Sequence, residues 1–304
     1  MLAMQILPRP LLGVACVVGA ATLWGTTGTS QALAGGSLPP VWFGALRLVC
    51  ATLFFLAVAA CTGGLARRAW QGLSPPAFLG AGACVAAYNL SFFAGVKLTG
   101  VGVGTAIALG SGPIWAGLLQ ALFQRHRPSA AWWAGTAVAV TGGALLSAGG
   151  GALAISWPGV VLCLASGLSY AVYTLLSTRM VGRAPASTIT LATFAVAAAL
   201  SVPAAALQAS LPTLGAPDLV AVVYTGFVAS GVAYLLYTFA LHHVRPATAV
   251  TLALTEPLVA FALAVTLLGE AASAVALGGL ALVVAGVWGV VRNDMSTHGS
   301  RTQT

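Results

Sequence analysis

Glu256 stands near the middle of the apolar run 246–268, and Pro257 follows it directly. If this run crosses a membrane, an ionised carboxylate at its centre costs about 2.5–3.5 kcal/mol. The proline removes one helical hydrogen bond and frees a carbonyl one turn back. A carboxylate beside a broken helix is typical of a ligand site at the membrane midplane. Glu256 is therefore predicted to bind a proton or a substrate; the alternative is a protonated side chain that only hydrogen-bonds a neighbouring helix.

Arg47 is the second charge inside an apolar run, the one spanning 41–62. Its guanidinium could bind a substrate carboxylate or pair with an acidic group. It could equally extend along the helix to reach the membrane surface, as long basic side chains do. The sequence leaves these interpretations open.

Aromatic and hydroxyl side chains recur at helical spacing in several apolar runs. Such rings can line a cavity for organic cations, aromatic compounds or amino acids through stacking and cation–π contacts, although an aromatic belt at the membrane surface is the alternative. The candidate binding residues are Glu256, Arg47, Trp24, Thr27, Gln31, Tyr88, Asn89, Tyr170, Tyr173, Thr174, Tyr234, Tyr237 and Thr255. Pro113 and Pro257, each inside an apolar run, are hinge candidates.

Motifs for enzymatic, cofactor or metal chemistry are missing from the sequence. It has no HExxH zinc motif, no Walker loop and no paired carboxylates, and it contains only 4 acidic residues. His126, His242 and His243 have no acidic or thiol neighbours at ligand spacing, so we interpret them as turn residues. We expect no enzyme, no cofactor and no metal.

The composition indicates a membrane protein. Of 304 residues, 59% are hydrophobic and only 5% are charged, against about 25% charged in soluble domains. A membrane-spanning helix needs about 20 apolar residues. Ten such runs are predicted, at 11–33, 41–62, 76–96, 101–123, 130–149, 157–178, 188–207, 218–241, 246–268 and 272–291. We number them the first to tenth spans. The fold class is an all-α integral membrane protein in a lipid bilayer.

Basic residues predict the orientation. If both termini are cytoplasmic, one side carries Arg9, Arg67, Arg68, Arg125, Arg127, Arg179, Arg183, Arg245, Arg292 and Arg301. Lys97 alone lies in a turn on the other side. This bias is the positive-inside signal and predicts a multi-pass protein of the cell (inner) membrane with cytoplasmic N- and C-termini. The basic residues form no single patch, so no nucleic-acid partner is expected.

The two halves of the sequence resemble each other. Trp24-Gly25 matches Tyr170-Ala171, and Tyr88 matches Tyr234, both at an offset of 146. The segment 108–113 matches 252–257 at an offset of 144. Each half holds five spans, and because five is odd, the second half would enter the membrane from the opposite face. Such inverted repeats are typical of secondary transporters. We predict repeats at 8–150 and 151–295.

These residues resemble a known family. Trp24-Gly25, Arg47, the helices of Pro113 and Pro257, and Leu268-Gly269-Glu270 resemble the EamA family of the drug/metabolite transporter superfamily over residues 10–292. The sequence departs from the pattern at His126, where a glutamate is expected. The resemblance implies a ten-helix transporter of small metabolites, often an exporter, with a cavity between the repeats.

The sequence thus predicts a secondary transporter, and it leaves three alternatives open. These are an uncoupled facilitator, an intramembrane lipid-modifying enzyme and a structural membrane protein. Its partner would be a small-molecule substrate. Small residues at intervals of four in spans 130–149 and 272–291 let helices approach closely. They indicate peripheral packing or a homodimer contact.

Overall fold

The computed structural model describes residues 9–35, 38–124, 127–147, 156–210, 213–269 and 271–299. Nine helices in these ranges are long and apolar enough to cross a membrane, and a tenth apolar helix, Ala130–Leu146, is shorter. The predicted all-α fold class is confirmed. The span helices are Arg9–Leu33, Pro40–Cys61, Pro75–Thr99, Val101–Phe123, Ala130–Ser147, Trp157–Met180, Ala186–Gln208, Ala216–Ala240, Pro246–Leu267 and Ala274–Gly299. A short helix, Arg67–Gln71, was not predicted; it connects the second and third spans.

Proline and glycine set most of the helix boundaries. Pro40, Pro75 and Pro246 begin spans, because proline has no N–H to lose in the first turn of a helix. Gly100 ends the third span with a φ of 84° and is the single residue before the fourth span. Only glycine adopts that conformation without strain, so this one-residue turn holds two spans side by side.

The turns that carry arginines meet at one end of the molecule. The Thr188 hydroxyl donates a hydrogen bond of 2.9 Å to the Gly64 carbonyl. This bond joins the turn of Arg68 to the turn of Arg183. Consecutive spans run in opposite directions, so the other described arginine turns belong to the same end. We call it the arginine end.

The alternate turns meet at the opposite end. The Trp42 indole N–H donates to the Ala209 carbonyl at 3.2 Å, which joins the first and fourth of these turns. Gly159, at the start of the sixth span, packs against Leu98, at the end of the third; a Cβ on Gly159 would lie 2.8 Å from the Leu98 Cβ. Spans of both halves are thus interleaved at each end.

The two predicted hinges differ. The helix around Pro113 is continuous from Val101 to Phe123. The ninth span is interrupted just before Pro257 by a 3-10 turn, Ala253–Thr255. The eighth span also contains an unpredicted π-helical segment, Thr225–Val232. Wide π turns of this kind are frequently found at functional sites, and both interruptions fall in the second half of the chain.

The fifth and tenth spans pack against each other within one chain. A Cβ on Gly142 would lie 2.5 Å from the Val283 backbone nitrogen and 2.6 Å from the Gly279 carbonyl oxygen. The small residues therefore serve an intramolecular contact. The outer face of the tenth span, including Val284 and Trp288, is exposed. A homodimer through these spans stays a prediction.

This contact predicts a difference between two adjacent glycines. Gly142→Ala should destabilise the protein by about 1–3 kcal/mol, because the new methyl group meets backbone that has no room to move. Gly143→Ala is the matched control, since nothing lies within 4 Å of a Cβ placed there. Thermal unfolding of both variants in detergent tests this. Equal melting temperatures would show that the fifth and tenth spans are not in close contact.

Candidate functional site

A cavity of about 300 Å³ lies between the two halves of the chain. The first, second, third and fourth spans contribute to its wall, and so do the sixth, eighth and ninth. It extends toward the opposite end, where Gln31 and Val101 line it and Val101 is 74% exposed. This volume matches the smaller ligand pockets of proteins, so the cavity can hold a small organic molecule.

Aromatic rings form much of the wall. The Trp24 ring lies 5.1 Å from the Tyr234 ring and 6.2 Å from Tyr170, and Tyr88 lies 5.9 Å from Tyr170. Phe92 stacks on Tyr88 at 6.1 Å. These centroid distances are those of favourable aromatic pairs. The rings come from four spans, and together they offer apolar faces to a ligand.

Arg47 and Glu256 both line the cavity. The Arg47 Nε is buried and has no hydrogen-bond partner. No ion pair joins the Arg47 and Glu256 side chains among the described residues. The cavity therefore holds one group of each charge sign, and each is free to bind a ligand.

The broken ninth span positions Glu256. Glu256 is the first residue of the helix Glu256–Leu267 that follows the 3-10 turn. The positive end of a helix dipole favours a carboxylate in its first turn. Gly25 lets the first span approach this point, because a Cβ there would lie 2.8 Å from the Glu256 carbonyl oxygen. The Trp24-Gly25 pair thus places an indole and the carboxyl group in one cavity.

Eight of the predicted binding residues line this cavity. They are Trp24, Thr27, Gln31, Arg47, Tyr88, Tyr170, Tyr234 and Glu256. Val101, Thr105 and Leu109 of the fourth span also line the cavity, and they were not predicted. Their spacing of four residues places them on one helix face, which was the available signal.

The other five candidates lie outside the wall. Tyr173 and Tyr237 are 2% and 0% exposed, and the Thr174 hydroxyl lies 3.0 Å from the Tyr237 hydroxyl. The Asn89 side chain donates to the Gly44 carbonyl at 3.2 Å, and the Thr255 hydroxyl donates to the Leu252 carbonyl at 2.8 Å. In this structure neighbouring spans cover Tyr173 and Tyr237, so neither lines the cavity, and their place on a transport path stays a prediction.

No three His, Cys, Asp or Glu side chains gather as a possible metal site in the part of the chain that the structure describes. His242 and His243 lie against Phe239 at the arginine end, with ring distances of 6.0 and 5.1 Å. His126 and Glu270, both noted in the sequence, fall outside the described residues.

Known proteins are similar to this chain in sequence or in fold. "Uncharacterized transporter YwfM" of Bacillus subtilis (strain 168) is 38% identical over 272 residues, which cover 89% of this chain and 90% of that protein. A solved crystal structure of another protein superposes with a TM-score of 0.80 over 95% of this chain and 98% of that one, at 21% identity. The EamA-like transporter family matches twice, at residues 11–148 and 157–292, with five spans in each match. The chain belongs to the EamA-like transporter family, within the drug/metabolite transporter superfamily, and is a multi-pass membrane transporter.

Proposed function

We propose that this protein is a secondary transporter that exports small organic metabolites by alternating access and couples their movement to protons. One observation carries the proposal: a cavity between the two halves holds Arg47 and Glu256 among aromatic rings. Ionisable groups inside a membrane bundle mark substrate and proton pathways. The broken helix beside Glu256 has the form of a transporter site.

The charges of the cavity favour a zwitterion with an apolar body, such as an amino acid. Arg47 can hold a carboxylate with its fork of N–H donors, and Glu256 can hold an ammonium group. A ligand with one charge leaves the other residue uncompensated, whereas a zwitterion satisfies both. Organic cations are the second candidate, because Trp24 and Tyr234 can bind a cation over their ring faces.

We also propose that the arginine end faces the cytoplasm of a cell (inner) membrane, with both termini on that side. The arginine bias between the two ends supports this orientation. In that orientation the cavity extends toward the outer face. A reporter fused after Asp294 that reads as periplasmic would overturn the orientation.

Counterflow in proteoliposomes tests the function. Vesicles containing purified protein and an unlabelled amino acid should take up the labelled compound in a saturable way, above the level of empty vesicles. An imposed pH gradient should then drive accumulation. Exchange without any gradient effect would identify an uncoupled facilitator. No exchange of amino acids or organic cations would contradict the proposed substrates.

A further inference from the structure

We propose that three buried hydroxyl groups mark the closed half of the transport path. They belong to Ser177, Thr193 and Thr238, which we call the hydroxyl cluster. These side chains would line the cavity when it opens to the arginine end. The inference rests on the proposed alternating access and assigns the residues that would form its second state.

The hydroxyl groups of this cluster are buried and have no hydrogen-bond partners. The three residues are 0%, 1% and 0% exposed, and none of their hydroxyls has a hydrogen-bond partner. Ser177 and Thr238 face the Tyr173 hydroxyl, but neither forms a bond with it of acceptable distance and angle. A buried hydroxyl without a partner loses its bonds to water and gains nothing in return. An alanine or valine would pack there without this cost.

The internal repeat relates these positions to the open cavity. The offset of 146 residues carries Gln31 to Ser177, Arg47 to Thr193 and Phe92 to Thr238. All three first-half residues line the cavity. The hydroxyl cluster therefore occupies the second-half counterparts of the cavity wall.

Two pairs of polar groups without partners follow the same relation. The Trp24 Nε1 and the Tyr170 hydroxyl are both buried and unbonded, and so are the Arg47 Nε and the Thr193 hydroxyl. Each pair is related by the offset of 146. In an inverted repeat, one half rocks against the other around a fixed site. First-half residues that line the present cavity therefore have second-half counterparts, and these counterparts are expected to line the cavity that opens to the arginine end.

The helix geometry differs between the two halves at equivalent positions, as expected if the halves exchange conformations when the cavity opens to the other side. The π segment Thr225–Val232 and the 3-10 turn Ala253–Thr255 interrupt the eighth and ninth spans. Their counterparts, 79–86 and 109–111, lie in regular helix. Gly80, Gly82 and Gly110 within those counterparts lower the cost of a change in helix geometry. The present structure thus has one half interrupted and the other regular.

The exchange has a chemical consequence for the substrate. Thr193 is the counterpart of Arg47 at the offset of 146, and Gly112 is the counterpart of Glu256 at the offset of 144. The cavity at the arginine end would therefore offer hydroxyl groups and no further charge. Recognition of charged groups would depend on Arg47 and Glu256 in both states.

Side-specific thiol labelling tests the hydroxyl cluster. In a chain whose five native cysteines are replaced by alanine, Ser177→Cys, Thr193→Cys and Thr238→Cys are made singly. A membrane-impermeant methanethiosulfonate is added to either face of sealed vesicles. We expect all three to label from the arginine end only, and Gln31→Cys to label from the opposite end only.

Ser201→Cys is the matched control. Its hydroxyl is also buried and unbonded, but its counterpart at the offset of 146 is Phe55, which is 0% exposed and does not line the cavity. We expect no labelling from either face. If the hydroxyl-cluster cysteines label no faster than Ser201→Cys in vesicles that exchange substrate, the proposal is wrong.

Counterflow in the same vesicles separates this inference from the proposed function. Labelling from the arginine end without exchange of any tested compound would support the opening and count against the proposed substrates. As a second measurement, Thr193→Val should reduce counterflow about tenfold, the effect of one lost hydrogen bond, at an equal or higher melting temperature, because valine removes a buried hydroxyl that has no partner in this structure. Full counterflow by Thr193→Val would assign this hydroxyl to packing and contradict its place on the path.

Discussion

Glu256→Gln is expected to abolish substrate accumulation driven by a pH gradient and to leave counterflow exchange measurable. Glutamine keeps the shape and most hydrogen-bonding groups of the side chain, but it cannot take up or release a proton. A carboxyl group in a water-poor cavity can alternate between the neutral and charged forms as the cavity opens to either side. Accumulation should therefore fall to the level of empty vesicles, because the variant has lost the step that responds to the gradient.

Two further measurements separate the roles of Glu256. If the carboxylate also holds an ammonium group, Glu256→Gln should weaken substrate binding by about 2–5 kcal/mol, the cost of truncating one partner of a buried charge pair. Glu256→Asp is the matched control, since it keeps an ionisable group at the start of the same helix, and it should retain gradient-driven uptake. Accumulation by Glu256→Gln at the wild-type rate and with wild-type pH dependence would eliminate both the proton role and the substrate role.

Arg47→Gln is expected to remove the preference for carboxylate-bearing substrates. The Arg47 side chain lines the cavity, and no acidic side chain pairs with it among the described residues, so it is available to a ligand. Its loss should weaken binding of an amino acid by about 2–5 kcal/mol, or on the order of 30-fold and more. The corresponding amine, which lacks the carboxylate, should bind at least as well as before, because it leaves the Arg47 charge uncompensated in the wild type. Inhibition of counterflow by the two compounds measures the difference.

Lys97→Gln is the control for Arg47→Gln. It removes a positive charge near the opposite end, from an exposed side chain that does not line the cavity, and both compounds should bind it as they bind the wild type. Arg47→Lys tests whether bidentate binding of the carboxylate matters, because lysine keeps the positive charge but lacks the planar pair of N–H donors of the guanidinium. If Arg47→Gln keeps the preference for carboxylate-bearing substrates, Arg47 does not bind the carboxylate, and its side chain is then better explained as reaching toward the membrane surface.

The sequence predicted the spans well because a bilayer imposes a simple rule. Backbone groups in hydrocarbon must be bonded within their own segment, so each crossing is a helix of about 20 apolar residues. The ten apolar runs therefore predicted most helix ends to within a few residues. Prolines such as Pro40 and Pro246 marked the starts of helices. Glu256 and Arg47 stood out for the same reason, since charge is costly in such a run.

Helical spacing could not decide which side of a span faces the cavity. Tyr170 and Tyr173 are three residues apart, and both were predicted to line a cavity; in the structure Tyr170 lines it, while neighbouring spans cover Tyr173. Periodicity gives the direction of a side chain on its own helix but not the helix that lies next to it. The π segment Thr225–Val232 was not predicted either, because its apolar composition indicates a membrane span without specifying the type of helix.

The sequence by itself determined the membrane class, the number of spans, the internal repeat and the two charged candidates. These follow from local composition and from the cost of placing charge in hydrocarbon. Only the tertiary structure decided that Arg47 and Glu256 share a cavity, and that Gly142 is in close contact with another helix while Gly143 is not. Both depend on contacts between residues far apart in the chain, which a single sequence does not encode in any local pattern.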